Sequence, residues 1–180
     1  MIETERLRLR PWTMADAEPF IRHLNTEAVM RWLGGVRTPE EQEAVVRDRF
    51  MAWQEERGFT FWAVERKEDG ELLGFCGLKI ADDATSPVAG EYEVGWRLRE
   101  DAWGKGYAKE AAIASLDFAF DGLGAERVVS LTVVGNSPSW GLMERLGMTR
   151  RPDLDYVGAP WAEGPIIVYV IEKDKWPARS

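Results

Sequence analysis

EYEVGWRLREDAWGKGYAKEAA, residues 91–112, is the stretch around which the rest of the chain is arranged. Positions 91–98 alternate between large apolar side chains and polar or small ones, which predicts a strand with two different faces. From Gly106 onward the residues are good helix formers, and no proline follows until Pro138, which predicts a helix. The stretch therefore predicts a strand, a short glycine-rich turn and a helix in direct succession.

The turn in this stretch is a candidate site for a phosphorylated ligand. Gly104 and Gly106 let the backbone turn tightly and leave its N–H groups uncovered. Free N–H groups at a helix N-terminus bind phosphate well, because the donors and the helix dipole point the same way. The turn does not match a P-loop, since Tyr107 follows Gly106, or a dinucleotide fingerprint, whose third glycine position holds Lys109. On the glycines alone, a turn without any ligand remains an alternative.

Length and charge limit the classes of function. A chain of 180 residues holds one domain with a full core, which we assign to residues 1–180. The net charge of -8 argues against a general nucleic-acid binder, whose affinity rests on lysine and arginine contacts to phosphate. No apolar run approaches the roughly 20 residues that span a membrane, and the N-terminus has no signal-peptide pattern. We therefore expect a cytoplasmic protein that binds neither nucleic acid nor membrane.

The sequence has one cysteine and one histidine. Cys76 lies in an apolar run and has no partner for an internal disulfide or a cysteine zinc cluster, so we expect it to pack in the core. His23 lies in a predicted surface helix, and a single histidine excludes a histidine-rich metal site. We expect no metal and no primed nucleophile, because the sequence also lacks a Gly-x-Ser-x-Gly elbow.

The pattern of the whole chain predicts the α/β class, with a mixed sheet of about seven strands and helices on both faces. A capping box with proline at the first helical position marks a helix start at Thr38, and Thr13 marks an earlier one. The predicted order is β-α-α-β-β-β-α-β-α-β-β, with strands at 7–12, 59–65, 72–80, 91–98, 127–133, from about 148, and at 166–171, and helices at 13–28, 38–58, 107–120 and 136–147.

Two groups of short motifs lie on either side of the long downstream helix. The first is EVGWRL at 93–98 with WGKGYAKEA at 103–111, and the second is NSPS at 136–139 with ERLGM at 144–148. In this order and spacing they resemble the GNAT superfamily of acyl-CoA-dependent N-acetyltransferases. The likeness covers nearly the whole chain. The most similar branch is that of the ribosomal-protein serine/alanine N-acetyltransferases, which also contains small-molecule acetyltransferases. The resemblance implies a GNAT-like acyl-CoA N-acyltransferase fold.

The resemblance implies that acetyl-CoA binds along the strand and the turn. The backbone N–H groups of Gly104 to Lys109 would hold the pyrophosphate, and Trp103 stands where other relatives have Arg or Gln. The pantetheine arm would pair with the strand as an added strand does, and a backbone N–H of that strand would polarise the acetyl carbonyl. The implied acetyl-CoA-binding residues are Trp96, Arg97, Leu98, Trp103, Gly104, Lys105, Gly106, Tyr107, Ala108, Lys109, Asn136 and Ser139.

The resemblance also implies direct attack by an amine, which must be neutral to react. Glu93 is the candidate that binds or deprotonates this amine, directly or through water, and an exposed strand glutamate that pairs with a neighbour is the alternative interpretation. Glu91 lies on the same face nearer the edge and ranks below it, and Glu163 is a weaker second base. Ser139 matches the Asn-x-x-Ser pattern of the branch and would donate to the departing sulfur. Asn136 would bond the pantetheine amides. Helix capping is the alternative role of both Ser139 and Asn136, and Asn136 can cap the helix while it also holds the ligand.

The acid and the acceptor pocket are less narrowly defined. Many relatives use a tyrosine as the acid, which makes Tyr156 an alternative to the serine, whereas we expect Tyr169 to pack in the last strand. Trp32, Glu93 and Trp161 are the predicted acceptor-binding residues. The last strand lacks the histidine that relatives in this branch often carry, which weakens the transfer of a ribosomal-protein substrate to this chain.

The leading hypothesis is an acetyl-CoA-dependent N-acetyltransferase whose acceptor is a protein N-terminal α-amine or a small-molecule amine. A non-catalytic acyl-CoA-binding or sensor module on the same fold is the first alternative, and a nucleotide-binding domain is the second. Apolar surface on the tail strands would allow two copies to pair as a homodimer.

Overall fold

The computed structural model describes residues 1–162 and 164–177. The strands are β1 Ile2–Glu3, β2 Leu7–Arg10, β3 Phe61–Arg66, β4 Leu72–Ile80, β5 Tyr92–Leu98, β6 Arg127–Val133, β7 Thr149–Arg150 and β8 Ile166–Glu172. The α-helices are α1 Ala17–Leu24, α2 Glu27–Met30, α3 Pro39–Val45, α4 Ala52–Arg57, α5 Tyr107–Asp117 and α6 Ser137–Arg145.

The strands form one mixed sheet in the order β1-β2-β3-β4-β5-β6-β8-β7. Within the described ranges every neighbouring pair is antiparallel except β5 and β6, which run parallel at the centre. The predicted mixed α/β architecture is confirmed, with eight strands in place of about seven. The additional strand is β1, because Ile2 pairs with Leu9 and adds an edge to the sheet.

Helices cover both faces of the sheet. On one face, α5 and α6 bury Leu116 and Met143 against the central strands. On the other face, α1 and the segment that follows α3 bury Phe20 and Phe50. Cys76 of β4 is fully buried beneath α5, as predicted, with its Sγ 3.7 Å from the Ser115 hydroxyl. In residues 1–162 and 164–177, no helix combines the length and the apolar character needed to cross a bilayer.

The predicted helix over 13–28 is interrupted at Asn25. The Asn25 side chain accepts a hydrogen bond from the backbone N–H of Arg37 at 3.0 Å and donates one to its carbonyl at 2.7 Å. Thr26 then caps the short helix α2. The next predicted helix begins with the capping box at Thr38 and ends at Gly58, as expected, and its middle, Val46–Met51, is wound more widely than an α-helix.

Candidate active site

A gap opens between the two central parallel strands. They pair at Tyr92 with Val128 and at Glu93 with Val129, and beyond these positions they no longer pair with each other. The last link is a side-chain hydrogen bond, in which the buried Ser130 hydroxyl donates to the Val94 carbonyl at 2.9 Å. After this point no backbone hydrogen bond joins the two strands, and the gap begins there.

The register of β5 decides which of its backbone groups face this gap. The Arg99 N–H donates to the Leu73 carbonyl at 2.8 Å, and the Glu91 carbonyl accepts from Ala81 at 2.9 Å. Hydrogen-bonding directions alternate along a strand, so the odd-numbered residues of β5 bond to β4 and the even-numbered ones face the gap. Trp96 therefore presents its N–H and carbonyl to the gap.

The other two strand residues predicted to pair with pantetheine differ from Trp96. The backbone groups of Arg97 face β4, because hydrogen-bonding directions alternate along the strand. The prediction that Arg97 pairs with pantetheine is therefore corrected. The N–H of Leu98 faces the gap, but its carbonyl accepts a hydrogen bond from Nε1 of Trp103 at 2.8 Å. Trp103, half of whose surface is exposed, thus fixes the end of β5 to the turn that follows.

The glycine-rich turn leaves its backbone donors uncovered. Gly104 and Gly106 have φ values of +70° and +80°, a left-handed conformation that glycine adopts without strain. No N–H from Gly104 to Lys109 donates to another described residue, and α5 begins at Tyr107. Lys105 and Lys109 are exposed at the same end. Uncovered donors, the helix dipole and two cationic side chains together favour the binding of an anion.

A contact from the N-terminus holds this turn in place, and sequence reasoning missed it. The Arg6 guanidinium donates to the Lys105 carbonyl at 2.9 Å and to Glu110 at 2.7 Å, and its carbon lies 4.5 Å from the ring centroid of Tyr107. Thr4 donates to Glu110 at 2.6 Å. The ring of Tyr107 is buried under this group, so Tyr107 offers the site its backbone only.

Glu93 lies on the face of β5 opposite α5 and is 9% exposed. Its cross-strand neighbour is Lys79, whose Nζ lies 3.3 Å from Oε2 and 2.8 Å from Asp82. Burial raises the pKa of Glu93, and the charge of Lys79 opposes this shift. A carboxylate with a raised pKa binds a proton more readily near neutral pH, which suits a general base. Glu91 is engaged instead in an ion pair with Arg127.

Comparison with known proteins identifies the family. The profile of the acetyltransferase (GNAT) domain matches residues 6–149, a span that contains the gap, the glycine-rich turn and α6. The chain belongs to the GNAT acetyltransferase family.

Relatives of this GNAT acetyltransferase agree in fold. An uncharacterized N-acetyltransferase of Bacillus subtilis, YoaA, is 26% identical over 152 residues, covering 83% of each chain. A GNAT-family acetyltransferase of known structure from Bacillus anthracis has a TM-score of 0.78 at 25% identity and covers 96% of this chain and 98% of its own. The ribosomal-protein-S5-alanine acetyltransferase from Vibrio fischeri has a TM-score of 0.74 at 18% identity over 98% of both chains, a likeness of fold. The predicted family and fold are confirmed.

In this GNAT domain, α6 begins where β6 reaches the end of the gap. Asn136 occupies the N-cap position, but its side chain makes no capping hydrogen bond. Ser139 is half-buried in the first turn of the helix. Neither side chain is engaged by another residue of the described ranges, so both remain available to a ligand. Helix capping as the sole role of Asn136 is therefore not supported.

The two tyrosines of the tail differ in their surroundings. Tyr169 packs in β8, as predicted, and its hydroxyl lies 3.1 Å from Glu144. Burial raises the pKa of Tyr156 to about 12, and the charges of Asp83 and Glu93 act in the same direction. The Tyr156 hydroxyl therefore stays protonated at neutral pH within electrostatic reach of Glu93, and it remains an alternative acid to the serine.

The predicted acceptor-side tryptophans come together. Trp32 and Trp161 both pack against a small apolar cluster at the ends of β6 and β8. A Cβ built on Gly135 would lie 2.5 Å from the Trp32 ring, so only glycine permits this contact. Glu163, the weaker base candidate, lies outside the described residues.

The lone cysteine is not placed for catalysis. Burial raises the pKa of Cys76 to about 12, so its thiolate is scarce at neutral pH. The described residues contain no group of three or more His, Cys, Asp or Glu that could hold a metal ion.

Proposed function

We propose that this GNAT acetyltransferase uses acetyl-CoA to acetylate a primary amine directly. The observation that carries the proposal is the gap between β5 and β6, which opens beside the uncovered amides of the glycine-rich turn. A gap with free strand edges suits an extended, amide-bearing arm, and uncovered amides at a helix N-terminus suit a diphosphate. Both features lie at the same end of the central strand.

The residues present fit the cofactor part by part. Backbone N–H groups from Gly104 to Lys109 would bind the pyrophosphate, with Lys105 and Lys109 adding positive charge. Trp96 would pair with the pantetheine arm through its carbonyl and Leu98 through its N–H, and Asn136 would bond the amides of the arm from across the gap. When bound, acetyl-CoA supplies an acetyl group activated as a thioester.

Glu93 would accept a proton from the acceptor amine, directly or through a water molecule. A protein α-amine with a pKa near 8 is about 90% protonated at pH 7, and a lysine side chain near 10.4 is more than about 99.9% protonated. Neutralising the α-amine costs about 1.4 kcal/mol at pH 7, whereas neutralising the lysine costs about 4.6 kcal/mol. A single carboxylate whose pKa is raised by burial is therefore better matched to an α-amine or a similarly weak base.

Ser139 would donate a hydrogen bond to the departing sulfur, with Tyr156 as the alternative donor. A backbone N–H on the gap side of β5 would stabilise negative charge on the acetyl oxygen. The N–H of Trp96 faces the gap, which makes it the best placed of the strand donors. No step requires a nucleophile from the protein, in agreement with the burial of Cys76.

Calorimetry and a thiol-release assay test this function together. We expect coenzyme A to bind and thiol to be released from acetyl-CoA when the acceptor panel includes N-terminal peptides, polyamines, amino acids and aminoglycosides. Binding of coenzyme A without thiol release from any amine would support the sensor alternative. Thermal stabilisation by ATP or NAD but not by coenzyme A would support a nucleotide-binding domain. No binding of acetyl-CoA at millimolar concentration would contradict the proposal.

A further inference from the structure

Beside the gap lies an arginine that has no carboxylate partner within the part of the chain that the structure describes. Arg97 is on the same face of β5 as Glu93, and its guanidinium carbon lies 5.1 Å from the ring centroid of Phe75, directly opposite on β4. Its Nε is buried and has no hydrogen-bond partner among the described residues. No carboxylate of residues 1–162 and 164–177 forms an ion pair with Arg97, whereas the nearby Arg99 is paired with Glu71 and Asp101.

A second arginine approaches from the loop before α3. The backbone of Arg37 is held on both sides by the Asn25 side chain. Burial, followed by the positive charge of Arg37, lowers the pKa of Arg97 to about 10. Arg97 therefore stays charged at neutral pH, and among the described residues its surroundings hold a like charge rather than an opposite one.

This arrangement is unfavourable for the protein alone. Arg97 is partly exposed but its Nε is buried, and a charge in such a site without a counter-ion is costly, because the surrounding protein solvates it less well than water does. Several other arginines form ion pairs, and Arg10 is paired with both Asp16 and Glu65. Although the sequence contains 31 acidic residues, none neutralises Arg97 among those described. An anionic group on a ligand would supply the missing partner.

We propose that the acceptor amine also carries a carboxylate and that Arg97, assisted by Arg37, binds this carboxylate. This inference rests on the proposed function and names the substrate class of the same site. Glu93 and Arg97 lie four positions apart, about 13 Å along the strand between Cα atoms. Gly95 lies between them, and the ring of Phe61 packs over it, since a Cβ on Gly95 would lie 2.9 Å from that ring. The amine would lie toward Glu93 and the carboxylate toward Arg97.

Product binding tests this assignment without requiring turnover. Calorimetry compares N-acetylated amino acids and short peptides as free acids with the same compounds as carboxamides, in the presence of coenzyme A. One set carries the carboxylate at the α-position and another in an Asp or Glu side chain, which separates the two sources. We expect the native protein to bind the acids roughly 10- to 100-fold more tightly than the amides, the range for hydrogen bonds between charged partners.

Substitutions assign the preference to Arg97. We expect Arg97→Gln to reduce the acid-to-amide ratio to near one and Arg97→Lys, which keeps the charge without the bidentate fork, to retain part of it. Arg57→Gln, at the exposed end of α4, is the matched control and should leave the ratio unchanged. If Arg97→Gln unfolds the protein, Arg37→Gln should still lower the ratio.

The outcomes separate this inference from the function on which it rests. Equal binding of acids and amides by the native protein, no measurable binding of either at millimolar concentration, or an unchanged ratio in Arg97→Gln would overturn it. Acid preference without turnover of any amine would instead contradict the catalytic proposal and leave the carboxylate site standing. Turnover of amines together with equal binding of acids and amides would contradict the carboxylate site and leave the catalytic proposal standing.

Discussion

Replacing Glu93 by glutamine tests the catalytic proposal most directly. The amide keeps the shape of a side chain that is 9% exposed and lies 3.3 Å from the Lys79 ammonium, and it removes the ability to accept a proton. General-base catalysis contributes about 100- to 10,000-fold, so we expect turnover at pH 7 to fall by that range. Affinity for coenzyme A should change little, since the proposal assigns Glu93 to the acceptor amine and not to the cofactor.

The pH dependence distinguishes a base from a residue that only binds the acceptor. Without a base, the rate follows the fraction of amine that is already neutral. Between pH 7 and pH 9 this fraction rises about tenfold for an α-amine with a pKa near 8 and about 100-fold for a lysine side chain near 10.4. The ratio of native to Glu93→Gln turnover should therefore shrink over this interval.

Native turnover should also fall on acidification. The carboxylate accepts a proton only when it is ionised, and burial raises the pKa of Glu93 above the ordinary value of 4.5. Activity should consequently be lost at a higher pH than an exposed glutamate would allow. The assay is initial-rate thiol release across pH 5 to pH 9 at saturating acetyl-CoA.

Glu91→Gln is the matched control for this experiment. Glu91 lies on the same face of the sheet, two positions before Glu93, and is paired with Arg127 outside the gap. We expect its turnover to match that of the native protein at every pH. Native-like turnover of Glu93→Gln at pH 7, or a ratio to native that stays constant up to pH 9, would refute Glu93 as the base.

Three further substitutions test the binding machinery. Gly106→Ala should lower the free energy of unfolding by about 1–2 kcal/mol, because φ is +80° at this position. This loss lowers Tm by about 2–8 °C. Gly124→Ala, at a position away from the turn where φ is +67°, is the control. It should lower the free energy of unfolding by a similar amount without changing the affinity for coenzyme A. Gly106→Ala should weaken this affinity, as measured by calorimetry. Ser139→Ala should lower turnover with little change in the affinity for coenzyme A. Ser137 is the exposed serine of the same helical turn. If Ser137→Ala lowered turnover equally, a specific role of Ser139 would be contradicted. Ser130→Ala leaves the buried Val94 carbonyl without its donor. It should lower the free energy of unfolding, measured by chemical denaturation, by about 1–3 kcal/mol. An unchanged denaturation midpoint would show that the gap does not depend on this hydrogen bond.

Local patterns in the sequence were sufficient for the order of the main elements. The strand at 91–98, the turn at 104–106 and the capping box at Thr38 were predicted correctly, because alternation, glycine conformation and capping act over a few residues. The break at Asn25 was missed. Its cause is a pair of hydrogen bonds to Arg37, which lies too far along the chain for a local pattern to reveal.

The sequence by itself determined the faces of the central strand, the uncovered donors of the turn and, through its motifs, membership of the GNAT family. Only the tertiary structure decided which strand edges are free, because a gap depends on where two distant segments stop pairing. It also placed Lys79 across from Glu93 and Arg6 beneath the turn, and it left Arg97 without a counter-ion among residues 1–162 and 164–177. These are contacts between strands, loops and termini that are far apart in the chain, and no periodicity along the sequence encodes which of them become neighbours.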